Sequence, residues 1–228
     1  MRINALDHSG DFAAYVATPA APPTAAIIVI QEIFGVNEGI RQKCDDYAAA
    51  GYLAVAPDLF WRLKPGIELD ADVEADLNEA FGYFGQFDAD KGIADIEASI
   101  KAARAAVNGG KVGVVGYCLG GKLAYMAACR TDSDATVGYY GVMIDQMLGE
   151  SHAIAHPLML HVPVEDHLVN AEAQAAMHAG LDDHPKVTIH DYPGLDHGFA
   201  AQLGNRRDEA GATLADGRTA AFFAAHLA

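Results

Sequence analysis

The stretch Lys111 to Lys122, KVGVVGYCLGGK, sets a cysteine between glycines in the frame Gly116-x-Cys118-x-Gly120. Val112 to Val115 reads as a buried strand, and the residues from Leu119 onward read as a helix. A chain that turns from strand to helix around one residue holds that residue in a strained backbone conformation and lifts its side chain above the sheet. Gly116 and Gly120 lack the Cβ atoms that such crowding excludes. The frame is therefore a nucleophile elbow with Cys118 as the nucleophile. The dipole of the following helix favours a thiolate at Cys118, and the backbone N–H of Leu119 can face a developing oxyanion. Serine is the usual occupant of such an apex, so a thiol suggests different chemistry on the same architecture. The structural alternative is a buried cysteine in a glycine-rich turn; the clean strand before it and the helix after it favour the functional reading.

Outward from the elbow, apolar runs suited to buried strands recur at Ala26 to Ile30, Tyr52 to Ala56, Thr136 to Tyr140, Leu158 to Val162 and Val187 to Tyr192. Helical patterns lie between them at Glu38 to Ala50, Val73 to Phe84, Asp90 to Val107, Leu119 to Arg130, Ala171 to Leu181 and Leu214 to His226. Residues 1 to 18 read as an antiparallel hairpin around Asp7-His8-Ser9-Gly10-Asp11. Strands alternating with helices predict an α/β fold over residues 1 to 228 as one domain, with a mostly parallel sheet and helices on both faces. Such folds place active sites at the carboxyl ends of the strands. Leu59 to Asp72, with Pro65 and Gly66 and little periodicity, predicts a loop crossing those ends and lining a pocket.

Composition narrows the function. Fifteen basic residues against 31 acidic ones give a formal charge of −16, which opposes the phosphate neutralisation that nucleic-acid binding requires. No apolar run approaches the roughly 20 residues that span a bilayer, and the N-terminal segment lacks the zones of a secretory signal. Three cysteines form no disulfide framework, and neither Cys44 nor Cys129 has Cys/His spacing suited to zinc. No dinucleotide or phosphate-loop fingerprint is present. The expectation is a cytoplasmic protein without cofactor or metal, with no nucleic-acid or membrane partner, monomeric or else a homodimer, acting on a small molecule.

If Cys118 attacks a carbonyl, an elbow fold supplies the other groups in the chain order nucleophile, acid, histidine. Val164-Glu165-Asp166-His167 follows one strand, and Gly194-Leu195-Asp196-His197-Gly198-Phe199 follows the last. Asp166 ranks first as the acid because it follows its own strand, with Glu165, Asp191 and Asp196 as competitors. His197 is the candidate base. Glu32 stands directly after the first core strand, where the backbone N–H of Ile33 would complete an oxyanion hole with that of Leu119. A carboxylate there could raise the thiol pKa or take its proton.

The segments Gln31 to Asn37, Gly113 to Gly121, Val137 to Gly141, Glu165 to His167 and Asp196 to Ala200 resemble the dienelactone hydrolase (carboxymethylenebutenolidase) family over nearly the full chain. The resemblance implies an α/β-hydrolase fold, a triad of Cys118, Asp166 and His197, and an ester or lactone substrate. It also implies that Glu32 acts as a switch, taking the thiol proton only when substrate is bound. Phe34, Tyr117, Phe81, Arg62 and Phe199 are the expected substrate contacts. Family members that bind a substrate carboxylate do so with two arginines, and the matching positions here are Ala201 and, on the helix after the Pro-Gly loop, Leu77. Arg62, Lys64, Arg206 and Arg207 are candidate replacements, each also readable as a solvated charge, so a less anionic ester or lactone is expected. The competing class is a redox-sensing or ligand-binding protein with a reactive Cys118; thiol proteolysis ranks below both.

Overall fold

The computed structural model describes residues 1–228. Strands β1 (Arg2–Asn4) and β2 (Asp11–Ala17) form the expected antiparallel hairpin. Asp7 closes its turn by accepting from the Ser9 N–H at 3.0 Å. Next come β3 (Ala26–Ile30), α1 (Glu38–Ala49), β4 (Leu53–Pro57), α2 (Glu74–Gln86), α3 (Ala89–Ala106), β5 (Val112–Tyr117), α4 (Leu119–Arg130) and β6 (Ala135–Tyr139). The chain ends with β7 (Leu158–Pro163), α5 (Ala171–Leu181), β8 (Val187–Tyr192) and α6 (Glu209–Leu227).

One eight-stranded sheet runs in the order β1-β2-β4-β3-β5-β6-β7-β8, parallel from β4 through β8 with the hairpin antiparallel at one edge. Every residue of β3, β4, β5, β6 and β7 is buried, which is why those segments read as unbroken apolar runs. β8 closes the far edge and is buried only in part. α3 and α4 pack together. α1 is joined to α6 by Tyr47 against Phe223, with ring centroids 6.0 Å apart, and by Lys43 Nζ on the Asp216 carboxylate at 3.0 Å.

Two segments differ from the sequence expectation. α6 begins at Glu209 rather than Leu214, because Asp208 caps it by accepting from the Gly211 N–H at 2.7 Å. A Cβ on Gly211 would lie 2.2 Å from the Leu195 side chain, so glycine lets that leucine pack on the first turn of α6 without moving. Between β6 and β7, where no element is predicted, Ile144–Ala153 forms a 3₁₀ stretch. The Leu59 to Asp72 loop does cross the strand ends. It is held by Leu69 N–H on the Phe34 carbonyl at 3.0 Å and by Asn37 Nδ2 donating to the Leu69 carbonyl at 3.1 Å.

Candidate functional site

The elbow is a consequence of packing between backbones. Cys118 has φ 57° and ψ −112°, outside the conformations a side-chain-bearing residue favours, so local strain is stored at the apex. A Cβ on Gly116 would lie 1.9 Å from the Gly120 carbonyl oxygen, and one on Gly120 would lie 2.6 Å from that of Ile30. The apex is pinned by Cys118 N–H donating to the Tyr139 carbonyl at 3.1 Å, while the Cys118 carbonyl accepts from Lys122 N–H at 3.1 Å. β3 and β5 pair in register with Ile30 opposite Gly116, which brings Ile33 and Leu119 to the same end of the sheet. Both are buried.

His197 lies on the loop between β8 and α6. Its Nδ1 sits 2.9 and 3.1 Å from the two oxygens of Asp166, on the loop after β7. The same Asp166 carboxylate accepts from the N–H groups of Leu168 and Val169 at 2.8 and 3.2 Å, so it is fixed before it meets the imidazole. His197 Nε2 is buried and has no partner, leaving it free toward a reacting group. Burial opposes a charge on this imidazole, but the negative charge of a thiolate at Cys118 and the hydrogen bond that Nδ1 donates to Asp166 outweigh it and push the pKa up to about 10.

The competing acids have other tasks. Asp196 accepts from the backbone N–H groups of His197 at 2.6 Å and His167 at 2.9 Å, and from His167 Nδ1 at 2.8 Å. It thus holds the loop that carries His197. Although partial burial opposes it, these hydrogen bonds from His167 and His197 bring the Asp196 carboxyl down to about 2. Glu165 accepts from the Gly194 N–H, and Asp191 faces His178 Nε2 at 3.1 Å.

A cavity of about 340 Å³ opens beside this group, its wall including Glu32, Lys43, Tyr117, Tyr140 and Arg206 together with residues 68 to 72 of the crossing loop. Glu32 is buried and forms a two-pronged pair with Arg206, with Nη2 to Oε2 at 2.9 Å and Nη1 to Oε1 at 3.3 Å. The guanidinium lies over the Phe34 ring, 5.4 Å from its centroid. It also packs on Gly198, where a Cβ would lie 2.7 Å from Arg206 Nη1. Arg206 is therefore part of the site and not a solvated charge. The sequence offered Arg206 as one of four candidate cations and could not tell it from a solvated charge, because its partner Glu32 lies 174 residues away.

The other expected substrate contacts are distributed differently. Tyr117 is on the cavity wall. Phe34 lies buried under Arg206, and Phe199 is buried against Tyr140, with ring centroids 5.8 Å apart. Phe81 is 47% exposed on α2 and outside the wall. Arg62 is corrected to a structural residue, since its Nη2 and Nε bind Asp95 at 2.8 and 3.2 Å and its guanidinium stacks over Trp61 at 4.3 Å. Tyr140, which the sequence placed inside a strand, lies just past β6 with φ 38°.

A parallel sheet with a strand-elbow-helix apex at β5, an acid after β7 and a histidine after β8 is the arrangement of an α/β-hydrolase. The comparisons then fix the family. The model of the dienelactone hydrolase family matches residues 12–227, and the chain belongs to that family. A carboxymethylenebutenolidase homologue from Azospirillum brasilense is 44% identical across 96% of this chain and 95% of its own length. The carboxymethylenebutenolidase of Pseudomonas putida is 37% identical across 93% of this chain and 91% of its own. The crystal structure of a dienelactone hydrolase homologue from Klebsiella pneumoniae superposes with a TM-score of 0.85 at 25% identity, covering 98% of this chain and 97% of that one. The protein is accordingly a hydrolase of the ester and lactone class. No helix is long and apolar enough to cross a membrane.

Proposed function

We propose that the protein hydrolyses a carboxylic ester or lactone through an acyl-cysteine intermediate, with Cys118 as nucleophile, His197 as acid and base, and Asp166 as the group that orients His197. The observation that carries this reading is the geometry of His197, whose Nδ1 is committed to Asp166 at 2.9 Å while Nε2 is buried and unpartnered. In the first half-reaction the Cys118 thiolate adds to the carbonyl carbon, and the backbone N–H groups of Leu119 and Ile33 take the negative charge on its oxygen. The C–O bond to the alcohol breaks as the imidazolium of His197 protonates the leaving oxygen. In the second half-reaction neutral His197 removes a proton from water, which attacks the thioester. The carboxylic acid then departs and the thiolate is restored beside the imidazolium.

Glu32 takes part before the attack. Bound to Arg206 it is neutralised and held; released, it is a buried carboxylate near a thiol and can take its proton. The charge so created on Sγ raises the proton affinity of His197, so the proton taken by Glu32 passes on to the imidazole, which later delivers it to the leaving oxygen and leaves Glu32 ionised again. A substrate carboxylate is the natural group to compete with Glu32 for Arg206. The redox-sensor reading has less support, because Cys118 is only 6% exposed and sensor thiols are accessible. The test is Cys118→Ala. A folded variant that loses at least about 10⁴-fold in turnover supports the nucleophile assignment, whereas one that keeps the wild-type rate removes it.

A further inference from the structure

Tyr140 carries two costs that the reaction outlined above does not use. Its hydroxyl is buried away from solvent with no hydrogen-bond partner, and its backbone sits at φ 38°, in the left-handed region that a side-chain-bearing residue avoids. The residue is well anchored all the same. Its N–H donates to the His161 carbonyl at 2.8 Å, and its ring meets His197 edge-on with centroids 5.0 Å apart. An orphaned polar group held this firmly in a native structure calls for a partner, which a side chain that moves in the reaction can supply.

The identity of that partner follows from the wall of the cavity. The residue lines the cavity while its hydroxyl has no solvent exposure, so the groups in reach are the buried side chains of that wall. Burial first, and then the negative charge of Glu32, hold the phenol proton in place, so the group keeps an O–H to donate to a carboxylate. Among the carboxylates of the wall, Glu38, Glu68, Asp70 and Asp72 are exposed and Asp76 is half-buried, whereas Glu32 is buried. Glu32 in turn has its two oxygens on Arg206 and loses both bonds whenever that guanidinium turns to an incoming anion. A buried carboxylate cannot stay uncompensated.

We infer that the Tyr140 hydroxyl is the donor that receives Glu32 when it leaves Arg206, and so positions the carboxylate toward the Cys118 thiol. Tyr140 is then a positioning residue acting through Glu32. The inference rests on the switching role proposed for Glu32, and the test separates the two.

The experiment is a double-mutant cycle of Tyr140→Phe and Glu32→Gln on a carboxylate-bearing aryl ester, 4-nitrophenyl hydrogen glutarate. Phenylalanine removes only an oxygen that has no partner, so the variant should melt at or above the wild-type temperature, which a thermal scan checks. In the wild-type background kcat is expected to fall about tenfold to a hundredfold, the scale of one hydrogen bond to a charged group, with KM nearly unchanged. In the Glu32→Gln background the same change should have no effect. The defect should also shrink as pH rises, because hydroxide then takes over the removal of the thiol proton; a packing role would give a defect independent of pH. An equal loss in both backgrounds overturns the inference, as does no loss in the wild type while Glu32→Gln is slow. Glu32→Gln at the wild-type rate removes the switch itself, and the role of Tyr140 falls with it. Should Tyr140→Phe melt early, fluorotyrosine labelling with assignment of the Tyr140 resonance replaces it. Adding glutarate to Cys118→Ala must then shift that resonance, and an unmoved resonance overturns the inference.

Discussion

Gly120→Ala joins fold and chemistry in one methyl group. The new Cβ would lie 2.6 Å from the Ile30 carbonyl oxygen and 2.7 Å from that of Gln31, both backbone atoms of the central sheet and its exit. Neither is the end of a flexible side chain, so the overlap is relieved only by moving the first turn of α4 away from β3. Overpacking of this kind costs about 1–3 kcal/mol, which in a chain of this size lowers the melting temperature by roughly 2–4 °C per kcal/mol. The displacement has a second effect. Leu119 is carried by α4 and Ile33 follows β3, so moving one from the other opens the oxyanion hole, and loss of one such donor costs about 10²–10³ in kcat. The assay is a thermal scan with kcat on an uncharged aryl acetate. A variant as stable and as active as the wild type would refute the close approach of α4 to the end of β3. A control makes the reasoning sharper: Gly82, inside α2, has nothing within 4 Å of the position a Cβ would take. Gly82→Ala should therefore raise stability by about 0.5–1 kcal/mol and leave activity alone.

Other outcomes follow from the same geometry. Asp166→Asn should preserve the fold and lower kcat about 10⁴-fold, as expected when the imidazole loses the carboxylate that fixes its tautomer, and steady-state kinetics on an aryl acetate would show it. Arg206→Met strands the Glu32 carboxylate; because Arg206 is 26% exposed the cost should sit at the low end for a broken buried pair, about 3 kcal/mol, readable by urea titration. Beside a Cys118 thiolate His197 has a folded pKa raised to about 10, so with that thiolate formed the imidazolium stabilises the fold fully below its unfolded pKa and this stability is lost as pH climbs through about 10. Cys118→Ala removes the charge that raises it, and the loss should then begin at lower pH in parallel urea titrations. On substrate, Arg206 predicts that a carboxylate-bearing lactone such as dienelactone gains on a neutral aryl acetate in kcat/KM, and that the gain disappears in Arg206→Met; an unchanged ratio contradicts that role.

The sequence made the sheet legible because five of its strands are buried on both faces and must be apolar throughout. It made the elbow legible because Gly116 and Gly120 face backbone atoms and no other residue fits. The order Cys118, Asp166, His197 could be placed for the same reason, since each follows a strand whose end was readable. What escaped depends on contacts between distant segments. Arg206 is 174 residues from Glu32, and no local pattern distinguishes it from its neighbour Arg207, which pairs with Glu209 instead. Arg62 looked available until its pairing with Asp95, 33 residues away, was seen. The start of α6 was hidden because Gly211 weakens a helical pattern, while in the fold a side chain there would press on Leu195. Tyr140 was misplaced by a single residue, yet that residue separates a strand position from a strained one beside His197.

The central claim is that Cys118 carries the acyl group. Mixing the protein with an aryl acetate, quenching in acid within milliseconds and mapping the digest by mass spectrometry tests it directly. The reading predicts one acetyl group on the peptide that contains Cys118, appearing before steady state and absent in Cys118→Ala. Sustained turnover with an unmodified Cys118 at every quench time, or with the acetyl group on another residue, would contradict it.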